Sequence, residues 1–198
     1  LLNTIMAEEF RLPAEELSAA KDFNACIKDI IRRIMKAHGR IVFNGNNYSS
    51  EWVQEAERRG LLNLPTTVDC LELLDSAENI ALFERHGVLT AEEIKSRKDI
   101  LIENYCKLIT IEGNTMLDMA KKDVLPAVTT YEKELAEVIN ALTAAGVKSV
   151  PQKDTLKKLN ALYADATKAI TALKDALAKG KTASDWMSYG KICRDEII

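Results

Sequence analysis

The chain has 198 residues, 47% of them hydrophobic, and a formal net charge of −3 with both signs spread along it. That is enough for one or two domains with a real core. It excludes a membrane-spanning helix, because no apolar run approaches the roughly 20 residues a span needs, and no basic stripe marks a nucleic-acid surface. Cys26, Cys70, Cys106 and Cys193 lie far apart without a CxxC spacing. They read as small apolar fillers in a reducing cytoplasm, and no signal peptide contradicts that location. The first residues, LLNTIMAEEF, already carry helical periodicity at Leu2, Ile5 and Met6 and lack an initiator Met, so the sequence is expected to be cut from a longer protein.

Nearly every segment reads as helix. Leu1 to Phe10 has the pattern of a helix end, with Pro13 opening a short helix to Lys21. Asp22 or Asn24 is placed to cap a helix that runs to His38 with Ile27, Ile30, Ile31 and Ile34 on one face, and Gly39 is its stop. The stretch RIVFNGNNYSSEW, Arg40 to Trp52, interrupts the helical pattern. Ile41, Val42 and Phe43 favour extended backbone, and Asn44-Gly45 signals a turn with positive φ. Ser49 or Ser50 then caps a helix bearing Trp52, Val53 and Ala56, which stops at Gly60. Thr67 is the expected cap of a helix carrying Leu71 and Leu74, and a short helix covers Ala77 to His86. Thr90 and Glu93 fit a capping box. From there the helical pattern persists to Gly146, weakened at Gly113 and kinked or broken at Pro126.

The last third holds two heptad seams. Tyr131, Leu135, Val138 and Leu142 form one; Leu156, Leu159, Tyr163, Ala166, Ile170, Leu173 and Leu177 form the other. Gly146 and Pro151 bracket a short connection, so the two helices are expected to be antiparallel neighbours. A third helix from Ser184, carrying Trp186, Ile192 and Ile197, would cover the hairpin and run on past the final RDEII. The expected fold is all-α: a helical bundle with a long antiparallel hairpin over about 127–180 and one short extended or turn segment near residues 40–48.

Chemistry is sparse. His38 and His86 each sit near a helix end, where imidazole suits the helix dipole. No HExxH, Walker loop, GxGxxG or Cys/His cluster occurs, and acidic residues such as Glu92, Glu93 and Glu103 read as solvated faces. No residue is assigned a catalytic, cofactor-binding or metal-binding role. Only Asn44 to Tyr48 has the polar, loop-like character of a site, and it holds no nucleophile-base pair. Asn44, Gly45, Asn47, Tyr48 and Trp52 are the candidate contact residues. Their bland role is a backbone turn; the sharper one is contact with a partner domain or subunit.

One resemblance is carried by the residues themselves. RIVFNGNNYSSEWVQEAERRGLLNLPTTVDCLELL, with its elements FNGNxYSxEW and EAExRGLLNLxTTxD, resembles the late segment of type III glutamine synthetases. The similarity continues through IALFERHGVLTAEEIKSRKDILIENYCKLITIEGNTMLDMAKKDVLPAV and is weakest between Lys148 and Thr182. It implies a parent enzyme that joins ammonia to glutamate using ATP and Mg2+ or Mn2+, in a cytoplasmic homo-oligomeric ring. None of that family's catalytic motifs falls on a position of this sequence, so this segment alone is expected to be inactive, with a structural and assembly role. Residues 1–90 would be the helical tail of the catalytic domain and the junction, and 91–198 a C-terminal helical bundle. Its partners would be its own catalytic domain and neighbouring subunits. The rival reading is a free-standing helical module that binds a partner protein through the hairpin. A gene with a β-rich region of clustered Glu and Arg upstream of Leu1 would favour the first reading, and an initiator Met directly before Leu1 the second.

Overall fold

The computed structural model describes residues 1–198 and is helical without a single β-strand. It divides into two compact units, Leu1–Lys98 and Asp99–Ile198.

In the first unit, α1 is Leu2–Ala19 and α2 is Phe23–His38. The expected break at Pro13 does not occur; the proline lies inside α1. Proline removes one backbone bond, but side chains bridge the gap. Arg11 pairs with Glu8 on one side of Pro13 (Nε–Oε2 2.9 Å) and with Glu15 on the other (Nη1–Oε1 2.7 Å). The Asp22 carboxylate accepts from the Ala25 amide at 2.9 Å and starts α2, as an N-cap must to satisfy a free amide. Gly39 ends α2 without a left-handed residue, at φ −56, and the chain tightens into a 3-10 turn over Gly39–Ile41.

Next come α3, Ser50–Arg58, capped by Ser49, α4, Thr67–Leu74, and α5, Ala77–Arg85, capped by Ser76. The cap of α4 is Thr66, one residue before the expected Thr67. Only Thr66 has an acid three positions on, and Asp69 completes a capping box. Gly60 (φ +69) and Gly87 (φ +61) end α3 and α5 in the left-handed region. In each, the next amide reaches back to close the helix end, Leu61 to Ala56 and Val88 to Phe83, at 2.9 and 3.0 Å.

α1 packs on both α2 and α5, and Ile30, Val68, Leu71, Phe83 and Ile94 are buried. A charged cluster stitches α1 to the end of α5. The Glu8 carboxylate takes Arg11 on both oxygens, Arg85 on Oε1, and His86 Nε2 on Oε2 at 2.8 Å. His86 is thus a hydrogen-bond partner of Glu8 as well as a helix-end residue.

α6, Ala91–Met119, opens on the expected Thr90/Glu93 box, with the Thr90 amide donating to Glu93 Oε2 at 2.8 Å. It crosses the division between the units. A π turn over Ala120–Val124 joins it to α7, Leu125–Ala144. Pro126 has no amide to donate, yet the helix does not stop there. It widens by one residue, and the Leu125 amide reaches five back to the Ala120 carbonyl.

α8, Val150–Lys181, returns after the turn at Gly146 (φ +74), with Pro151 in its first turn. α7 and α8 pack as the expected hairpin. The seam on α7 differs from the expected one: Ile139 is buried, whereas Val138 is 46% and Tyr131 49% exposed. The apolar residues of α7 support two overlapping stripes one position apart, and packing selects Leu135, Ile139 and Leu142. On α8 the stripe is as expected but unevenly covered. Leu177 is buried and Leu159 half-buried, while Ala166 is exposed.

α9, Trp186–Ile192, is capped by Asp185 and runs into a second π turn, Cys193–Ile197. It does cover the C-terminal end of α8, with Ile197 contributing as expected but the most buried positions lying elsewhere. Tyr189, Gly190 and Cys193 are buried; Trp186 is 38% exposed, and Ile192 and Ile197 are half-buried. Small residues decide this. A Cβ on Gly180 would lie 2.0 Å from Tyr189 Cε2, so the ring of α9 rests on the bare backbone of α8. α6 joins the same core, with Gly113 lying beneath Leu177 and Ile197 and the Thr110 hydroxyl 2.5 Å from the Tyr189 hydroxyl.

Candidate functional site

The irregular stretch after Ile41 is held from below by a cluster that begins with α3. Trp52, Glu55 and Arg59 are spaced 3 and 4 apart, which aligns them on one face of a helix. The ring of Phe43 folds back onto Trp52, centroids 4.2 Å apart at 29°, a favoured offset stack. The Arg59 guanidinium sits 5.8 Å from the Phe43 centroid and 5.7 Å from that of Trp52, within cation–π range. Its Nη1 also donates to the carbonyls of Arg40 (3.1 Å) and Val42 (2.8 Å). One side chain therefore fastens the incoming backbone and both rings.

Glu55 holds Arg59 in place from the helix, Nε to Oε1 at 2.5 Å, and also takes Arg58. The Arg58 hydrogen bonds, then those of Arg59, hold the Glu55 carboxyl down to about 2 against an ordinary 4.5.

Gly45 was expected at positive φ; it is not, and the glycines in that region are Gly60, Gly87 and Gly146. The reason for glycine is the space above it. A Cβ would lie 2.6 Å from Phe43 Cζ and 2.8 Å from Cε1, so the stacked ring excludes a side chain. Beyond it the Asn46 side chain accepts from the Tyr48 amide at 3.0 Å, a local Asx turn, and Ser49 Oγ accepts from the Trp52 amide at 3.4 Å.

Of the candidate residues, Trp52 is half-buried in the cluster, whereas Asn44, Gly45, Asn47 and Tyr48 are exposed. Tyr48 is 99% exposed. Phe43, Glu55 and Arg59 were not among the candidates. The spacing of Trp52, Glu55 and Arg59 was the available signal for two of them; nothing local marked the fold-back of Phe43. This geometry supplies no nucleophile or base. It presents an uncharged, polar loop with one aromatic tip on a rigid base. Nowhere in the chain are three or more His, Cys, Asp or Glu side chains placed to hold a metal ion, and no helix is long and apolar enough to cross a membrane.

Comparison with known proteins bears directly on this region. Residues 26–143 match the glutamine synthetase C-terminal domain family. The chain is 40% identical over 157 residues to a glutamine synthetase of Butyrivibrio fibrisolvens, covering 78% of this chain and 22% of that protein. It is 40% identical over 149 residues to a type-3 glutamine synthetase of Dictyostelium discoideum, covering 72% and 20%. A glutamine synthetase of Bacteroides fragilis (strain YCH46) is 28% identical over 142 residues, covering 69% and 19%. The chain thus spans about a fifth of the length of these curated relatives.

Proposed function

Since this chain belongs to the glutamine synthetase C-terminal domain family, as the C-terminal region of a type III enzyme, we propose that it serves a ligase joining ammonia to glutamate at the expense of ATP. The observation that carries this reading is the 40% identity to the type-3 enzyme of Dictyostelium over 149 residues.

Its own part is structural. The parent reaction takes ATP and Mg2+ or Mn2+, and divalent ions there need grouped carboxylates. The side chains of residues 1–198 do not fit such a group, having no cluster of acids or histidines. The acids with well-defined partners are spent on arginines, lysines or helix caps, as Glu8, Glu55, Asp75 and Asp69 are. The metal and nucleotide ligands belong to the remainder of the enzyme, and no step of the reaction runs through this segment.

Residues 1–90 act as the helical tail of the catalytic domain with the junction, and 91–198 as a C-terminal bundle that helps assemble a cytoplasmic homo-oligomeric ring. The uncovered apolar side chains of α1 and α2 support this. Leu2, Phe10, Phe23, Ile31 and Met35 are each more than half exposed, more apolar surface than a small free-standing unit keeps wet. Asn44, Gly45, Asn47, Tyr48 and Trp52 form the contact loop between this segment and its neighbours.

The test is the full-length enzyme with and without residues 91–198. Glutamine formation from glutamate, ammonia and ATP is expected in the whole protein, with the truncated form losing its ring on size-exclusion light scattering. A truncated enzyme of unchanged size would overturn the assembly role, and a whole protein that makes no glutamine would overturn the ligase reading.

A further inference from the structure

We infer that Tyr48 is a docking anchor, its ring seated in an uncharged, apolar-walled pocket on the part of the same polypeptide outside residues 1–198. This rests on the reading of the chain as part of a longer glutamine synthetase.

Tyr48 contributes almost nothing to its own fold, being 99% exposed, yet its loop is tightly determined. The Asn46 carbonyl and side chain accept from the Ser49 and Tyr48 amides at 3.2 and 3.0 Å. Phe43 closes over Gly45, and Arg59 fastens the carbonyls of Arg40 and Val42. A large amphipathic side chain on a preorganised loop loses little conformational freedom on docking, which is the property of binding hot spots rich in tyrosine.

The chemistry of the pocket follows from the loop. Asn44 to Ser50 carries no charge, so the cover needs no complementary ion. It needs apolar walls for the ring, an acceptor or donor for the phenol, and peptide groups at the rim for Asn44 and Asn47. The occupant is assigned to the same chain because the uncovered apolar strip Ile31, Ile34, Met35, Ile41 and Val42 runs along the sequence into this loop. A cover on the same polypeptide would bury that strip as the chain folds, before it could invite aggregation. The relatives are about five times as long as this chain, which leaves ample polypeptide to supply the pocket.

The experiment is nitration of the full-length protein by tetranitromethane, with Tyr48 followed by peptide mass spectrometry in the native and urea-unfolded states. Native Tyr48 is expected to react at least about tenfold more slowly than unfolded Tyr48, and Y48A to lower the thermal midpoint more than Y48F. Equal rates in the two states would overturn the inference. So would a Tyr48 that becomes reactive when folded subunits are separated by dilution, since the pocket would then lie on a neighbouring copy. A freely nitrated Tyr48 in an enzyme that makes glutamine removes the anchor alone. A protected Tyr48 in a protein that makes none removes the ligase reading and keeps the anchor.

Discussion

Replacing Gly180 with alanine adds one methyl group in the last turn of α8, and helix propensity alone would favour the change by up to about 1 kcal/mol. The tertiary structure reverses the sign. The new Cβ would meet Tyr189 at Cε2 (2.0 Å), Cδ2 (2.6 Å) and Cζ (2.8 Å). The ring has nowhere easy to go. It is buried, stacks on Trp186 with centroids 6.1 Å apart, and ends in a hydroxyl contact with Thr110. Overpacking of this kind costs about 1–3 kcal/mol, and moving the ring also breaks the Thr110 contact, worth about 1 kcal/mol. The net expectation is a loss of roughly 2 kcal/mol, which lowers a urea midpoint by about 1 M if the slope is near 2 kcal/mol/M. The assay is urea unfolding followed by circular dichroism and by tryptophan emission, the latter sensitive to Trp186. G180A in a Y189A background should lose most of its penalty, because the obstructing ring is gone. A midpoint for G180A at or above that of the wild type would refute the reasoning, since the α8–α9 contact would then tolerate a side chain.

Gly39→Ala has the opposite expectation: φ is −56 and nothing lies within 4 Å of the added Cβ, so unfolding measurements should show a gain of up to about 1 kcal/mol. Ile139→Ala should cost about 2–4 kcal/mol and Val138→Ala less than about 1, and equal losses in urea would mean the α7 seam is misassigned. The Glu8 carboxyl is held down to about 2, first by Arg11 and then by His86 and Arg85. A depressed carboxylate stabilises above its unfolded value near 4.5 and loses that contribution as pH falls toward 2; the urea midpoint of the wild type should therefore drop more steeply between pH 5 and 2 than that of E8Q. Burial pushes the Cys193 thiol up to about 12 and raises Cys106 as well, and both are fully buried. Ellman titration at pH 8 should thus detect the exposed Cys70 quickly, and Cys106 and Cys193 only after unfolding.

Where local chemistry decides, the linear sequence was sufficient. The cap at Thr90, the caps at Asp22 and Ser49 to within a choice of two residues each, the stops at Gly60 and Gly146, and the antiparallel hairpin were legible, because a cap is satisfied within three residues and a left-handed stop within one. The all-helical class followed from the same periodicity, and the family from FNGNxYSxEW and its continuation. Questions of contact between distant residues were not legible. Pro13 reads as a helix start until Arg11 is seen bridging Glu8 and Glu15 across it. Gly45 reads as a positive-φ turn until the ring of Phe43 is found above it, and nothing in the sequence marks Gly180 until Tyr189 is placed against it. The α7 seam had two registers of equal apolar merit, and only the surface of α8 distinguished Ile139 from Val138. Backbone hydrogen bonding is short-ranged and written in neighbouring residues, whereas steric exclusion acts between atoms that the chain brings together only once it is folded.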